Sequence, residues 1–160
     1  MVSDPADRVE LGSISEAIVS GVQASLPGWV ERQVARILDA WGRLDAGARD
    51  HADAEARAAG RAATDRVSAE LDALFAVDPV AQRTTPLEIV RTAYREPTAV
   101  LRDADVPEVV RDAFDERSWP DDVYGLVPRT FADLDDALAP LHLAWGLAKA
   151  KVLREQRTRG

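Results

Sequence analysis

Residues 29–77 read WVERQVARILDAWGRLDAGARDHADAEARAAGRAATDRVSAELDALFAV and contain no proline. Apolar side chains recur every three or four residues at both ends of this stretch, the spacing of one face of a helix. They are Val30, Val34, Ile37, Leu38, Trp41 and Leu44 in the first part, and Val67, Leu71, Leu74 and Phe75 in the last. Alanine, the strongest helix former, dominates the middle. The stretch therefore predicts helix throughout and an all-α fold.

Residues 29–77 are too long for a straight helix inside a compact chain of this size. A straight helix over residues 29–77 would measure about 70 Å, whereas a compact chain of this size has a radius of gyration of about 15 Å. The chain either turns back near Gly47, or it runs straight and needs a partner for a stripe of small residues. That stripe consists of Ala48, Ala52, Ala56, Ala59 and Ala63. We expect one very long helix, because the middle offers no other turn residue.

A shorter helix precedes this stretch. Ser13 and Glu16 have the spacing of a capping box, and an amphipathic run follows them. Pro27–Gly28 should end or sharply kink that helix. Residues 1–12 are polar, so we expect a flexible lead there and a single helical domain over residues 13–157.

Several helices follow the long stretch and complete a predicted bundle. Thr85, Pro86 and Glu88 mark a clear helix start, and the chain to residue 117 has the pattern of three short helices. A last long helix is expected from about Pro140 to Gln156. Its inward stripe consists of Leu138, Leu141, His142, Trp145, Ala148 and Val152. The chain therefore predicts an N-terminal helix, one very long helix, short connecting helices and a long C-terminal helix.

Composition narrows the class of protein. The 160 residues are 46% hydrophobic and 30% charged, which is typical of a globular chain and not of a disordered one. A net charge of −8 argues against general nucleic-acid binding. The absence of cysteine and of a signal-peptide pattern at the N-terminus fits a cytoplasmic protein. No apolar run is long enough for a transmembrane segment, and the Ala, Arg, Asp and Val bias resembles that of a high-GC bacterium.

Chemical motifs are scarce. No nucleophile elbow or phosphate-binding loop occurs, so we lean towards a protein that is not an enzyme. His51 and Glu55 have a metal-ligand spacing on a helix, but two ligands are too few, and we predict no metal and no other cofactor. His142 and Trp145 lie one turn apart, so an alternative is a small-molecule or metal-binding protein with a pocket near these two residues and the loop of residues 118–129.

Residues 118–129, SWPDDVYGLVPR, form the most distinctive loop. Two prolines and a glycine restrict its backbone, and it carries Trp119, Asp121, Asp122 and Tyr124. Rigid loops with aromatic and paired acidic side chains often carry recognition, although the aromatic side chains could equally fill the bundle. Salt bridges to the paired acids would lock the loop; the candidates are Arg91, Arg95 and Arg102.

The remaining signals concern partners. Trp29 and Trp41 are twelve residues apart and point about 120° apart on a helix, so one of them is expected to mark a contact surface. We therefore expect a helical interaction or scaffold protein that self-associates. The C-terminal cations offer an alternative, peripheral docking to an anionic membrane surface or acidic partner. These cations are Lys149, Lys151, Arg154, Arg157 and Arg159.

Overall fold

The computed structural model confirms the all-α class. It describes residues 5–42, 46–76, 78, 80–81, 83–92, 98–99, 101–102, 108 and 123–159, and no strand occurs among them. Four α-helices have defined bounds: α1 (Pro5–Gly42), α2 (Ala46–Phe75), α3 (Pro86–Thr92) and α4 (Ala139–Arg159). Two 3₁₀ helices, η1 (Phe131–Asp133) and η2 (Asp136–Leu138), precede α4.

The single helix expected over residues 29–77 is not observed. Its first part belongs to α1, which ends at Gly42, and its second part belongs to α2, which begins at Ala46. The two helices are antiparallel neighbours: Gly60 lies beside the Pro27 carbonyl, and Arg8 Nη1 lies 3.3 Å from Asp78 Oδ2. Folding back lets α2 bury the small side chains Ala56, Ala59 and Ala63 against α1, which a straight helix would leave without a partner.

The expected end of the first helix at Pro27–Gly28 is also wrong, because α1 continues through Pro27 as one helix. An interior proline costs a helix about 3 kcal/mol. Leu26, Trp29 and Val30 are all buried beside it. Burial of a large apolar side chain contributes about 2 kcal/mol, so these three together outweigh the cost of the proline.

The start of α1 differs from the expected start at Ser13, because the helix already begins at Pro5. Proline is favourable in the first turn of a helix, as is an acid such as Asp7. Tertiary contacts then hold this turn: Leu11 is fully buried, and Asp7 forms an ion pair with Lys151. The part of residues 1–12 that the structure describes is therefore helical.

Helix α4 packs antiparallel to the N-terminal half of α1. Three contacts along the pair define this direction: Leu138 against Gly21, Trp145 against Ser15, and Lys151 against Asp7. The start of α3 is as expected, because Thr85 and Glu88 exchange capping hydrogen bonds, at 3.2 Å from the Thr85 N–H and 3.4 Å from the Glu88 N–H. None of the helices in the described ranges combines the length and the apolar character that crossing a bilayer requires.

Candidate interaction surface

The chain approaches α4 through two short capped turns. The Asp133 carboxylate accepts hydrogen bonds from the backbone N–H groups of Arg129 (2.8 Å) and Thr130 (3.0 Å), which fixes η1. The Asp135 carboxylate accepts from the N–H of Ala137 at 2.9 Å and caps η2. Since η2 runs directly into α4, Asp136 lies at the beginning of one continuous helical segment that ends at Arg159.

The inner face of α4 is fixed by a buried hydrogen bond. Trp145 donates its indole N–H to Ser15 Oγ at 3.2 Å, and Ser15 donates its hydroxyl to the Leu11 carbonyl at 2.9 Å. Ala148 and Val152, on the same face as Trp145, are buried as well. Lys149 Nζ lies 4.7 Å from the centroid of the Trp145 ring, and desolvation there lowers the pKa of this lysine. This face determines the rotation of α4 about its axis.

The outer face of α4 carries two leucines that the core does not cover. Leu143 is 66% exposed and Leu147 is 60% exposed, and they lie one helical turn apart. Ala150 and Arg154 continue the same row at helical spacing, on the side opposite Trp145. We call these four residues the outer row. Helix α4 therefore presents apolar side chains to both the core and the solvent.

The outer row was not identified from the sequence. The inward stripe of the last helix was assigned well, since Leu138, Trp145, Ala148 and Val152 are buried. Leu143 and Leu147 fall between those positions, and a helical-wheel projection from Trp145 would have placed them on the opposite side. This projection could have identified the exposed leucines from the sequence.

The structure describes the contacts of the two residues that were predicted to line a pocket, His142 and Trp145. The ring of His142 contacts the ring of Phe131, with centroids 5.2 Å apart. His142 Nδ1 is buried and has no hydrogen-bond partner among the described residues. The indole of Trp145 is occupied by Ser15 and Lys149. The contacts with Phe131 and Ser15 join α4 to η1 and α1, and the contact with Lys149 lies within α4.

The residues predicted for recognition are only partly described. Trp29 is 7% exposed and belongs to the core, so its indole offers no surface to a partner in this structure. Trp119, Asp121, Asp122 and the side chain of Trp41 lie outside the described residues.

The end of the 118–129 loop is held in place by α3. Tyr124 is buried, and this burial raises the pKa of its hydroxyl, partly opposed by the positive charge of Arg102. Arg91 donates to the carbonyls of Pro128 (3.0 Å) and Arg129 (2.7 Å) and so fastens this end of the loop to α3. Arg95 lies outside the described residues.

Lys149 and Lys151, two of the C-terminal cations, have defined side-chain partners within the chain. Lys149 stacks on Trp145, and Lys151 Nζ lies 2.6 Å from Asp7 Oδ1. Because Asp7 is buried, the lysine charge compensates a carboxylate that has lost much of its hydration. Within the described residues, no group of three His, Asp or Glu side chains is arranged to hold a metal ion.

The Asp7–Lys151 ion pair should make stability depend on acid pH. The hydrogen bond from Lys151 lowers the pKa of Asp7 below its ordinary value of 3.8. A lowered carboxyl pKa contributes stability that is present above 3.8 and is lost as the pH falls through the folded-state pKa. In denaturant titrations between pH 2 and 6, we expect the stability difference between wild type and Asp7→Asn to shrink below about pH 4.

Lys151→Met serves as the matched variant for this test, because it removes the same ion pair from the other helix. Lys151→Met should remove the same acid-dependent part of the free energy of unfolding. The double variant Asp7→Asn/Lys151→Met should be only slightly less stable than either single variant. A difference between wild type and Asp7→Asn that stays constant down to pH 2 would show that the ion pair does not stabilise the fold.

No protein-family model, no curated protein and no solved structure matches this chain.

Proposed function

We propose that this chain is a non-enzymatic protein–protein interaction protein that self-associates. The observation that carries the proposal is the exposure of Leu143 and Leu147 on the outer face of α4. Single exposed apolar residues are common on protein surfaces, but neighbouring ones on a rigid element mark contact surfaces. Here the two leucines lie on a helix whose inner face is fixed by Trp145, so the outer face has a defined shape.

Among the described residues, a third large apolar side chain is exposed and provides a contrast. Val9 is 68% exposed on α1, and the nearby outward positions Ser13 and Glu16 are exposed and polar. It therefore lacks an apolar neighbour of the kind that Leu143 and Leu147 provide for each other. The surface that favours association is the outer row of α4, and Val9 is its natural control.

Size-exclusion chromatography with light scattering tests this proposal. We expect the mass of the wild type to rise with concentration across the micromolar range, because two leucines per copy form a small contact. Leu143→Lys/Leu147→Lys should remain monomeric at the highest concentration, since it places charge in the contact. Val9→Lys should associate as the wild type does.

Two outcomes would count against self-association through this face. One is a wild type that stays monomeric over the whole concentration series. The other is a Leu143→Lys/Leu147→Lys variant that keeps the mass of the wild type. Circular dichroism should show that all variants retain the helical fold, because every substituted position is exposed.

A further inference from the structure

We infer that the partner of the outer row is a second copy of this chain, paired with its α4 antiparallel to the first. This inference rests on the proposed function and specifies its geometry. In this register Leu143 of each copy lies against Leu147 of the other, and Asp136 of each copy lies against Arg154 of the other.

Charge complementarity argues for this partner and this direction. Asp136 lies seven residues before Leu143, and Arg154 lies seven residues after Leu147. Seven residues are close to two turns of an α-helix, so Arg154 falls near the line of the leucines. Asp136 belongs to η2, whose tighter turn of three residues places it at the edge of that line. Both side chains are exposed, and within the described residues neither forms an ion pair. Asp136 and the outer row together therefore run from an anion through two leucines to a cation.

Two copies of this row have complementary charges only when they lie in opposite directions. When Leu143 meets Leu147 of the second copy, the equal seven-residue spacings bring Asp136 opposite Arg154 at both ends. A two-fold axis between the helices generates both ion pairs and both leucine contacts at once, as an isologous interface requires. Parallel pairing would instead place Asp136 against Asp136 and Arg154 against Arg154, which is repulsive.

The backbone of α4 permits close approach at the middle of this contact. Gly146 lies between the two leucines in the sequence, and a Cβ built there would meet no atom within 4 Å. Ala150, the next member of the row after Leu147, is small. A second helix can therefore lie over the leucines without a bulky side chain displacing it at these positions.

Site-directed cross-linking tests the direction, because the natural chain has no cysteine. Asp136→Cys and Arg154→Cys each introduce a single thiol at an exposed position. A short bis-maleimide is added to each variant alone and to an equal mixture of the two, and covalent dimers are resolved by denaturing electrophoresis. In the antiparallel register, the mixture should give a much higher yield of covalent dimer than either variant alone. Two copies of the same variant hold their thiols at opposite ends of the interface, and residues 136 and 154 of one chain are about 27 Å apart.

Charge exchange tests the ion pairs independently. Asp136→Arg and Arg154→Asp each place like charges together at both ends of the interface, and we expect each to weaken dimerisation by about tenfold or more. Asp136→Arg/Arg154→Asp restores opposite charges in the antiparallel register, so it should dimerise as the wild type does. Increasing salt should reduce the difference between the single variants and the wild type.

The possible results separate this inference from the proposed function. A wild-type dimer whose thiols at 136 and 154 do not cross-link in the mixture overturns the antiparallel register but leaves self-association intact. Equal cross-linking of each variant alone also overturns it, because it indicates parallel or random pairing. A monomeric wild type overturns both. Preferential cross-linking in the mixture together with rescue by the charge exchange supports the inference.

Discussion

Replacing Gly60 by alanine should lower the free energy of unfolding by about 1 to 3 kcal/mol. A Cβ at this position would lie 2.9 Å from the Pro27 carbonyl oxygen and 3.6 Å from Glu31 Cβ. The closer atom belongs to the backbone of α1, so it cannot move aside as the end of a side chain would. The two helices of the hairpin would have to separate, and the buried alanines of α2 would lose contact with α1.

The same substitution at Gly12 is the matched control. Gly12 lies within α1, and a Cβ there would meet nothing within 4 Å. Alanine favours a helix over glycine by about 1 kcal/mol, so Gly12→Ala should be neutral or stabilising. Denaturant titrations followed by circular dichroism measure both changes, at a protein concentration low enough to limit any contribution from self-association. Equal effects of the two substitutions would contradict close packing of α2 on Pro27.

Replacing Trp145 by alanine should cost about 3 to 5 kcal/mol, because it removes a large buried ring and leaves a cavity between α4 and α1. Ser15→Ala should cost about 1 to 3 kcal/mol, because it leaves the buried indole N–H without its acceptor. In Trp145→Phe/Ser15→Ala both partners of the hydrogen bond are gone, so the double variant should be more stable than the summed effects of Trp145→Phe and Ser15→Ala predict.

Ser25→Ala is a control for Ser15→Ala. It removes a hydrogen bond within the helix but no hydrogen bond to a tryptophan. Ser25 donates its hydroxyl to the Gly21 carbonyl four residues earlier, at 2.7 Å, as Ser15 does to Leu11 at 2.9 Å. No contact of Ser25 comparable to the Ser15–Trp145 bond occurs among the described residues, so its replacement should change stability by no more than about 0.5 kcal/mol. A Ser15→Ala variant as stable as Ser25→Ala would show that the indole hydrogen bond contributes nothing measurable.

Local sequence patterns were sufficient to predict the class of fold and several local features. Apolar periodicity and alanine content sufficed for the helices, because both act over a few residues. The capping residues Thr85 and Glu88 correctly marked the start of α3, and the inward stripe of α4 was largely correct, including Trp145. These features depend on contacts between residues near each other in the chain.

Contacts between distant parts of the chain set where α1 begins, where it continues through proline, and where the chain turns back into α2. Pro27 lies inside α1 because burial of its neighbours outweighs the cost of an interior proline, and Asp7 is helical because Lys151 lies opposite it. The alanine stripe gives no signal of its partner, since small side chains fit against α1 and against another chain equally well. Gly60 resolves that ambiguity, because its close approach to Pro27 occurs only when α2 folds back.

The same physical reason explains the candidate surface. Periodicity predicted the side of α4 that faces the core, whereas the exposure of Leu143 and Leu147 on the other side is seen only once the packing against α1 is known. The Ser15–Trp145 hydrogen bond fixes that side, and it leaves Leu143, Leu147, Asp136 and Arg154 available to a second copy. Which face of a helix is buried depends on the helices packed against it, and these can be distant in the sequence.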